Sequence, residues 1–419
     1  MENLRHCGPN AGPDGLIRRA ALTFAITALA LLAGCTQATP PAPVAVAPPP
    51  AAPITPVPFP EAVLKAANGV FTGALANAPS TERRVVVIDP LVNGVTGEQS
   101  VATQQIQERI VALAREKYPQ FDIEPFTAAA VSKGADVMVG TFTPVNAQGM
   151  TAGVREAFRF CLVMVDLKAG KTIAKSVARA RVDNVDSTPI GFFHDSPAWT
   201  ADASVKSYID TCQATKVGDP ISPVYVNGIV TASIVSEAIE AYDAARYVDA
   251  LDLYKSAEKT PAGSQLRVYN GLYLTEWRLG HREAAAEAFG RVAEYGLKNN
   301  TLGVKILFRP GSTAFETDPG VNSPYDMWLR QIATHSAVGN SCLQVTGNSS
   351  PSGSAVINEQ LSQLRADYVK DRLETDEPSL NGHVIATGVG AKNNMIGTGA
   401  DDASDALDRR VEFKVLPAC

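Results

Sequence analysis

The sequence predicts a multidomain chain of α/β and α+β folds: an N-terminal α/β domain, a short helical-repeat segment and a C-terminal βαβαββ sandwich. Three observations predict it. Short apolar strands alternate with amphipathic helices over residues 61–222. Small and aromatic residues recur at a period of 35 over residues 223–298. Residues 299–419 carry four strand patterns and two helix patterns in the order β-α-β-α-β-β. The 419 residues are 45% hydrophobic, enough for two or three domains with their own cores, and a net charge of −6 argues against nucleic-acid binding.

The N-terminus reads as a targeting segment. Arg18 and Arg19 precede an apolar run, residues 20–33, that ends in Leu32-Ala33-Gly34-Cys35. The run is short for a membrane span, which needs about 20 residues, and suits the apolar region of a signal peptide covering residues 1–34. Leu32-Ala33-Gly34-Cys35 resembles the bacterial lipobox, which implies cleavage before Cys35 and acyl chains on that cysteine. The alternative is an ordinary signal with a chance cysteine. Thr36 and Gln37 follow, with no aspartate at the second position. By resemblance to the usual sorting rule this implies a lipid anchor in the outer membrane, facing the periplasm. Lipid on Cys35 is the one non-protein group expected; no cofactor or metal is. Residues 35–60, dominated by Pro40-Pro41-Ala-Pro43 and Pro48-Pro49-Pro50, read as a semi-rigid tether.

Four cysteines remain after Cys7 and Cys35: Cys161, Cys212, Cys342 and Cys419. An exported chain meets an oxidising compartment, and three pairings are open. Pairing within domains, favoured here, joins Cys161 to Cys212 and Cys342 to Cys419; four buried thiols are the alternative.

Within 61–222, strands are expected at 83–88, 121–123, 136–142, 158–166 and 172–180, with helices at 104–117 and around 128–131. Val85-Val-Val-Ile88-Asp89, Ala135-Asp136-Val-Met-Val-Gly140-Thr141 and Val165-Asp166-Leu-Lys-Ala-Gly170-Lys171-Thr172 faintly resemble the periplasmic α/β domains of the curli-secretion lipoprotein, TolB and the activator lipoproteins of cell-wall synthases. Residues 184–223 read as loop, their aromatics Phe192, Phe193 and Trp199 folding back on the core or meeting a partner. His194-Asp195-Ser196 cannot form a catalytic triad, because three adjacent side chains do not converge.

In 223–298, Ala250, Tyr254 and Ala257 recur as Ala285, Phe289 and Val292. This resembles tetratricopeptide-type hairpins. Two units are fewer than a free solenoid needs, so the segment is expected to lean on a neighbour.

The last domain holds strand patterns at 304–308, 342–347, 383–387 and 410–415, and helices beginning at Ser323-Pro324 and spanning 358–373. With Gly347, Gly353, Asn358, Leu361-Ser362, Arg365-Ala366 and Asp408-Arg409-Arg410-Val411-Glu412, this order resembles the OmpA-like domain. The resemblance implies peptidoglycan binding through the diaminopimelate of the stem peptide. Arg365 stands at the family's carboxylate-clamping arginine, and backbone N–H groups near Asn358 would hold a further carboxylate. The family's Gly-His-Thr-Asp turn reads Gly347-Asn348-Ser349-Ser350, so Ser350 replaces the aspartate that pairs the ligand's ammonium. Losing that charge-assisted bond costs about 1.5–3 kcal/mol, or roughly 10- to 100-fold in affinity.

The expected function is an outer-membrane lipoprotein that tethers the envelope by non-covalent peptidoglycan binding, other envelope proteins docking on its remaining parts. The alternative is an accessory subunit or activator of a secretion or wall-synthesis complex whose OmpA-like domain does not bind. No nucleophile–base set, metal-ligand spacing or phosphate loop marks an enzyme.

Overall fold

A computed structural model describes residues 54–78, 83–151, 155–309, 311–315, 324–336, 342–394 and 408–419. Cys35, the signal segment and most of the tether lie outside these. The described chain is mixed α/β, with two mixed sheets. No described helix is long and apolar enough to cross a membrane.

The first sheet has the order β3-β1-β4-β5-β6, with β1 Arg84–Ile88, β3 Phe121–Glu124, β4 Asp136–Val145, β5 Ala157–Asp166 and β6 Lys171–Arg181; the two-residue β2 Val92–Asn93 also pairs with β4. Strands β3, β1 and β4 are parallel and β4, β5 and β6 antiparallel. Helices α1 Phe59–Asn77 and α2 Val101–Lys117 cover one face of the sheet. On the other lie α3 Ala128–Ser132, α5 Ala203–Gln213 and α6 Pro223–Asp243. With both faces covered, β4 is buried along its whole length.

The sequence reading missed α1. Its signal was present: Ala62, Val63, Ala66, Ala67, Val70, Phe71 and Ala74 form a buried stripe, after prolines at the helix start. The expected end of the tether at residue 60 therefore falls inside a helix, and Val57 already pairs with the edge of β6. The segment read as loop holds α4 Gly191–Asp195 and α5, and Phe192, Phe193 and Trp199 are all buried. Helix α5 escaped notice because its stripe interleaves the polar Ser207 and Thr211 with Val205, Tyr208 and Cys212.

Helices α6 and α7 Tyr247–Glu258, then α8 Leu266–Arg278 and α9 Arg282–Lys298, form two hairpins. The 35-residue period is visible in the packing: Ala250, Tyr254 and Ala257, and likewise Ala285, Phe289 and Val292, are fully buried. Gly271 lets α8 approach the Tyr254 ring, since a Cβ there would lie 2.2 Å from it.

The second sheet has the order β7-β10-β8-β9, from β7 Gly303–Val304, β8 Cys342–Gly347, β9 Val384–Gly388 and β10 Val411–Leu416. Strand β10 runs antiparallel to β7 and β8, and β9 parallel to β8. Helices α10 Tyr325–Ser336 and α11 Ala355–Asp376 complete the β-α-β-α-β-β order. Ser323, expected to start the first of these helices, lies outside the described residues. The strand expected at 304–308 shortens to two residues, because residues 197–199 pair with β7 and Lys305 turns inward. The two disulfides are Cys161–Cys212 and Cys342–Cys419.

One hydrophobic core runs from α4 through the helical hairpins into this second sheet. Trp328 of α10 stacks on Phe289 of α9 at 5.5 Å and donates its indole N–H to the Tyr273 hydroxyl at 2.9 Å. This contact joins the repeat to the last sheet. We predict that Phe289→Ala destabilises hairpins and sheet together, by about 3–5 kcal/mol, in a single urea transition followed by circular dichroism and tryptophan fluorescence. Two separated transitions would show that the core is not shared.

Candidate functional site

The candidate site lies where α11 begins. Gly353 takes φ +89°, a left-handed conformation that favours glycine. Ser354 then caps the helix, its hydroxyl accepting the Ile357 N–H at 3.3 Å. The helix thus starts at Ala355, one turn earlier than the sequence reading placed it. Asn358 is not at its start; it is a buried residue whose side-chain amide turns back to the Ser352 carbonyl at 3.0 Å. The backbone N–H groups open to a ligand are those before Ile357, not those of Asn358.

The buried stripe of α11 is Asn358, Ser362, Arg365, Ala366, Val369 and Leu373, polar in its first half. Leu364 faces away from it, at 55% exposure. The reason is proximity to the sheet. A Cβ on Gly347 would lie 2.2 Å from the Ser362 carbonyl oxygen, and one on Gly388 2.2 Å from the Gln363 nitrogen. At that range short polar side chains fasten helix to strand. The Gly390 N–H donates to Ser362 Oγ at 2.8 Å and the Gly388 N–H to Gln363 Oε1 at 2.7 Å. Gly347, expected among the ligand-binding residues, is also the point of closest approach between β8 and α11.

The turn after β8 closes one wall. Asn348 N–H bonds the Arg410 carbonyl and Ser349 N–H the Gly390 carbonyl, both at 3.0 Å. Ser350, buried, shares a 2.9 Å hydrogen bond with the Ser352 hydroxyl.

Arg365 forms the floor, at 1% exposure. Its guanidinium lies 4.9 Å from the centre of the Phe308 ring, Nε donates to the Ser312 carbonyl at 3.2 Å and Nη2 to the Arg309 carbonyl at 3.3 Å. Burial, with the nearby Arg409 charge, lowers its pKa to about 10, so it stays cationic at neutral pH. Nη1 has no hydrogen-bond partner among the described residues; nor have Arg410 Nη1, Ser349 Oγ and Asn348 Oδ1. Arg410 pairs with Glu412 at 2.8 Å. A buried guanidinium with an unused N–H suits a carboxylate.

Sequence reasoning put Arg365, Asn358, Ser349, Ser350 and Gly347 together, and the structure gathers them around the first turns of α11. It missed the shelf beneath Arg365, Phe308, Arg309 and Ser312, some fifty residues upstream and visible only in the fold. Arg409 and Arg410 are both buried as well. The Asp408-Arg-Arg-Val-Glu412 run was the signal. Cys35 lies outside the described residues. His194 Nδ1 and Asp195 Oδ1 lie 3.0 Å apart, but Ser196 does not join them: its Oγ donates back to the Phe192 carbonyl, while Asp195 takes the Tyr242 hydroxyl at 2.7 Å.

A second polar recess, about 20 Å³, lies after the end of β1 between Asp89, Tyr208, Tyr225 and Arg267. It has room for about one water, not for a peptide. Asp89 accepts the Tyr225 hydroxyl at 2.8 Å. Burial pushes its carboxyl up to about 7, against that bond and the Arg267 charge.

No protein-family model and no curated protein matches the chain. Similar solved structures include the peptidoglycan-associated lipoprotein from Burkholderia pseudomallei, at 22% identity over 26% of this chain and 87% of that one, with a TM-score of 0.23. The periplasmic domain of Helicobacter pylori MotB is similar at 17% identity over 27% of this chain and 74% of that one (TM-score 0.22). A MotB-like protein from Desulfovibrio vulgaris is similar at 21% identity over 36% and 94% (TM-score 0.24).

Two predictions follow from this geometry. Gly347→Ala forces α11 off β8 and lowers stability by about 1–3 kcal/mol, read by urea unfolding; an unchanged midpoint would mean the helix has slack. Asp89 binds its proton more tightly folded than unfolded, so stability falls as pH rises from about 4 to about 7 and then levels. Asp89→Asn removes that fall, and at pH 8 the variant is the more stable, by on the order of 4 kcal/mol. Parallel profiles for the two proteins from pH 4 to 8 would refute the assignment.

Proposed function

We propose that this chain is a lipid-anchored protein of the bacterial outer membrane that holds peptidoglycan non-covalently at the Arg365 site. The observation that supports the reading is the buried Arg365 guanidinium whose Nη1 has no hydrogen-bond partner among the described residues. A cation is buried in protein when something compensates it. Two carbonyls and a ring compensate Arg365 in part. A stem-peptide carboxylate completes the set, with Arg365 as clamp and the Ser349–Ser350 turn as wall. The same reading makes Cys35 the lipid attachment point, the proline-rich stretch a spacer and the remainder a body on which envelope proteins dock. No catalytic role is assigned.

Ser350 stands where a carboxylate would pair the ligand's ammonium, so binding leans on the anionic end of the ligand. The test is co-sedimentation of the full chain, lacking its signal and lipid, with purified sacculi. We expect wild type to pellet, Arg365→Ala to stay in the supernatant, and Ser350→Asp to bind roughly 10- to 100-fold more tightly. Wild type that never pellets, or an Arg365→Ala variant that pellets as well as wild type, refutes the proposal.

A further inference from the structure

Arg365 does not hold its own orientation. Two of its three guanidinium nitrogens rest on the carbonyls of Arg309 and Ser312 and its plane on Phe308. That shelf follows directly on Lys305, a lysine at 5% exposure. Lys305 Nζ bonds Glu98 Oε1 at 2.6 Å and the Phe193 carbonyl at 2.8 Å, and lies 4.4 Å from the centre of the Trp199 ring. Its backbone N–H bonds the Pro197 carbonyl at 2.8 Å. All of these partners belong to the N-terminal half of the chain.

Glu98 is itself firmly placed. It sits between β2 and α2, and Ser100, two residues on, caps α2 in a reciprocal capping box. Gly97 before it is left-handed, φ +74°, and its carbonyl accepts Arg267 Nη2 at 2.7 Å. The chain of contacts is therefore continuous from a rigid helix start in the first half of the molecule to the guanidinium of the site.

We infer that Glu98 is a positioning residue for the Arg365 site: through Lys305 it holds the Phe308–Arg309–Ser312 shelf that aims the arginine. The functional part of this inference rests on the site being a ligand site; the positioning itself does not. A buried ion pair contributes little net stability compared with apolar packing, but it fixes one geometry, because a displaced Lys305 would leave a buried charge unpaired. The α/β half of the chain thereby sets whether the site is formed.

The test uses the full chain and two readouts. The first is hydrogen exchange of the Arg365 Nε–H by NMR, assigned through its loss in Arg365→Lys. The second is the sacculus affinity. Glu98→Ala is expected to speed that exchange and weaken binding, each by roughly tenfold, the equilibrium weight of one hydrogen bond to a charged group. Arg84→Met, which breaks an ion pair with Asp136 elsewhere in the first sheet, is expected to leave both readouts as in wild type. Should Glu98→Ala fold poorly, the double variant Glu98→Ala/Lys305→Met removes the stranded charge and carries the same expectation. Unchanged Arg365 protection in these variants overturns the inference, as does equal loss in Arg84→Met. If wild type does not bind sacculi yet Glu98→Ala still frees the Arg365 Nε–H, the positioning role stands and the peptidoglycan reading falls.

Discussion

The arrangement of this molecule depends on one lysine that cannot reach water. Lys305 is buried with Glu98 as its counter-charge, and the two come from opposite halves of the chain. Burial raises the Glu98 pKa, and the adjacent ammonium opposes that shift. A buried charge tolerates no loss of its partner, so the strand after Lys305 and the segment before α2 stay together. Around this pair the rest of the seam closes: residues 197–199 pair with β7, and Asn270 reaches the Ala198 carbonyl at 3.1 Å.

Asp202 completes the seam by a different device. One carboxylate oxygen accepts the Val205 N–H at the start of α5, and the other the Leu266 N–H at the start of α8, at 3.0 and 2.8 Å. A single side chain thus satisfies free N–H groups of two helices, where a carboxylate also meets the favourable end of both dipoles. Burial raises its pKa, and the backbone bonds it accepts pull the other way. The helical hairpins are held at one end by this cap and at the other by the Phe289–Trp328 stack. That explains how two repeat units, too few to stand alone, remain ordered.

The candidate site is assembled against the ordinary preference of a helix for an apolar buried face. Ser362, Asn358 and Arg365 occupy buried positions that helices ordinarily fill with apolar residues. Their polarity is accounted for by the two glycine contacts that bring α11 within hydrogen-bonding reach of the strand ends. It also leaves a buried cation with one nitrogen unused, the kind of local conflict that functional sites carry and cores avoid.

Most elements were legible in the sequence because their apolar periodicity survives in the fold. The first sheet's strands, the 35-residue repeat and the β-α-β-α-β-β order all rest on side chains that are buried where the period puts them. Helix α1, with its apolar stripe, was simply overlooked; the other misreadings share one physical cause. Helix α5 and the start of α11 bury polar residues, and the 304–308 strand gives way to an inward lysine. A reading that equates burial with hydrophobicity cannot see these. Within the site, the residue types at Arg365, Ser349 and Ser350 were set by local sequence. That Gly347 serves packing, that Asn358 lies inside the helix, and that Arg309 and Ser312 hold the arginine were decided only by tertiary structure. Those roles depend on distances between segments tens of residues apart, and no local pattern encodes them.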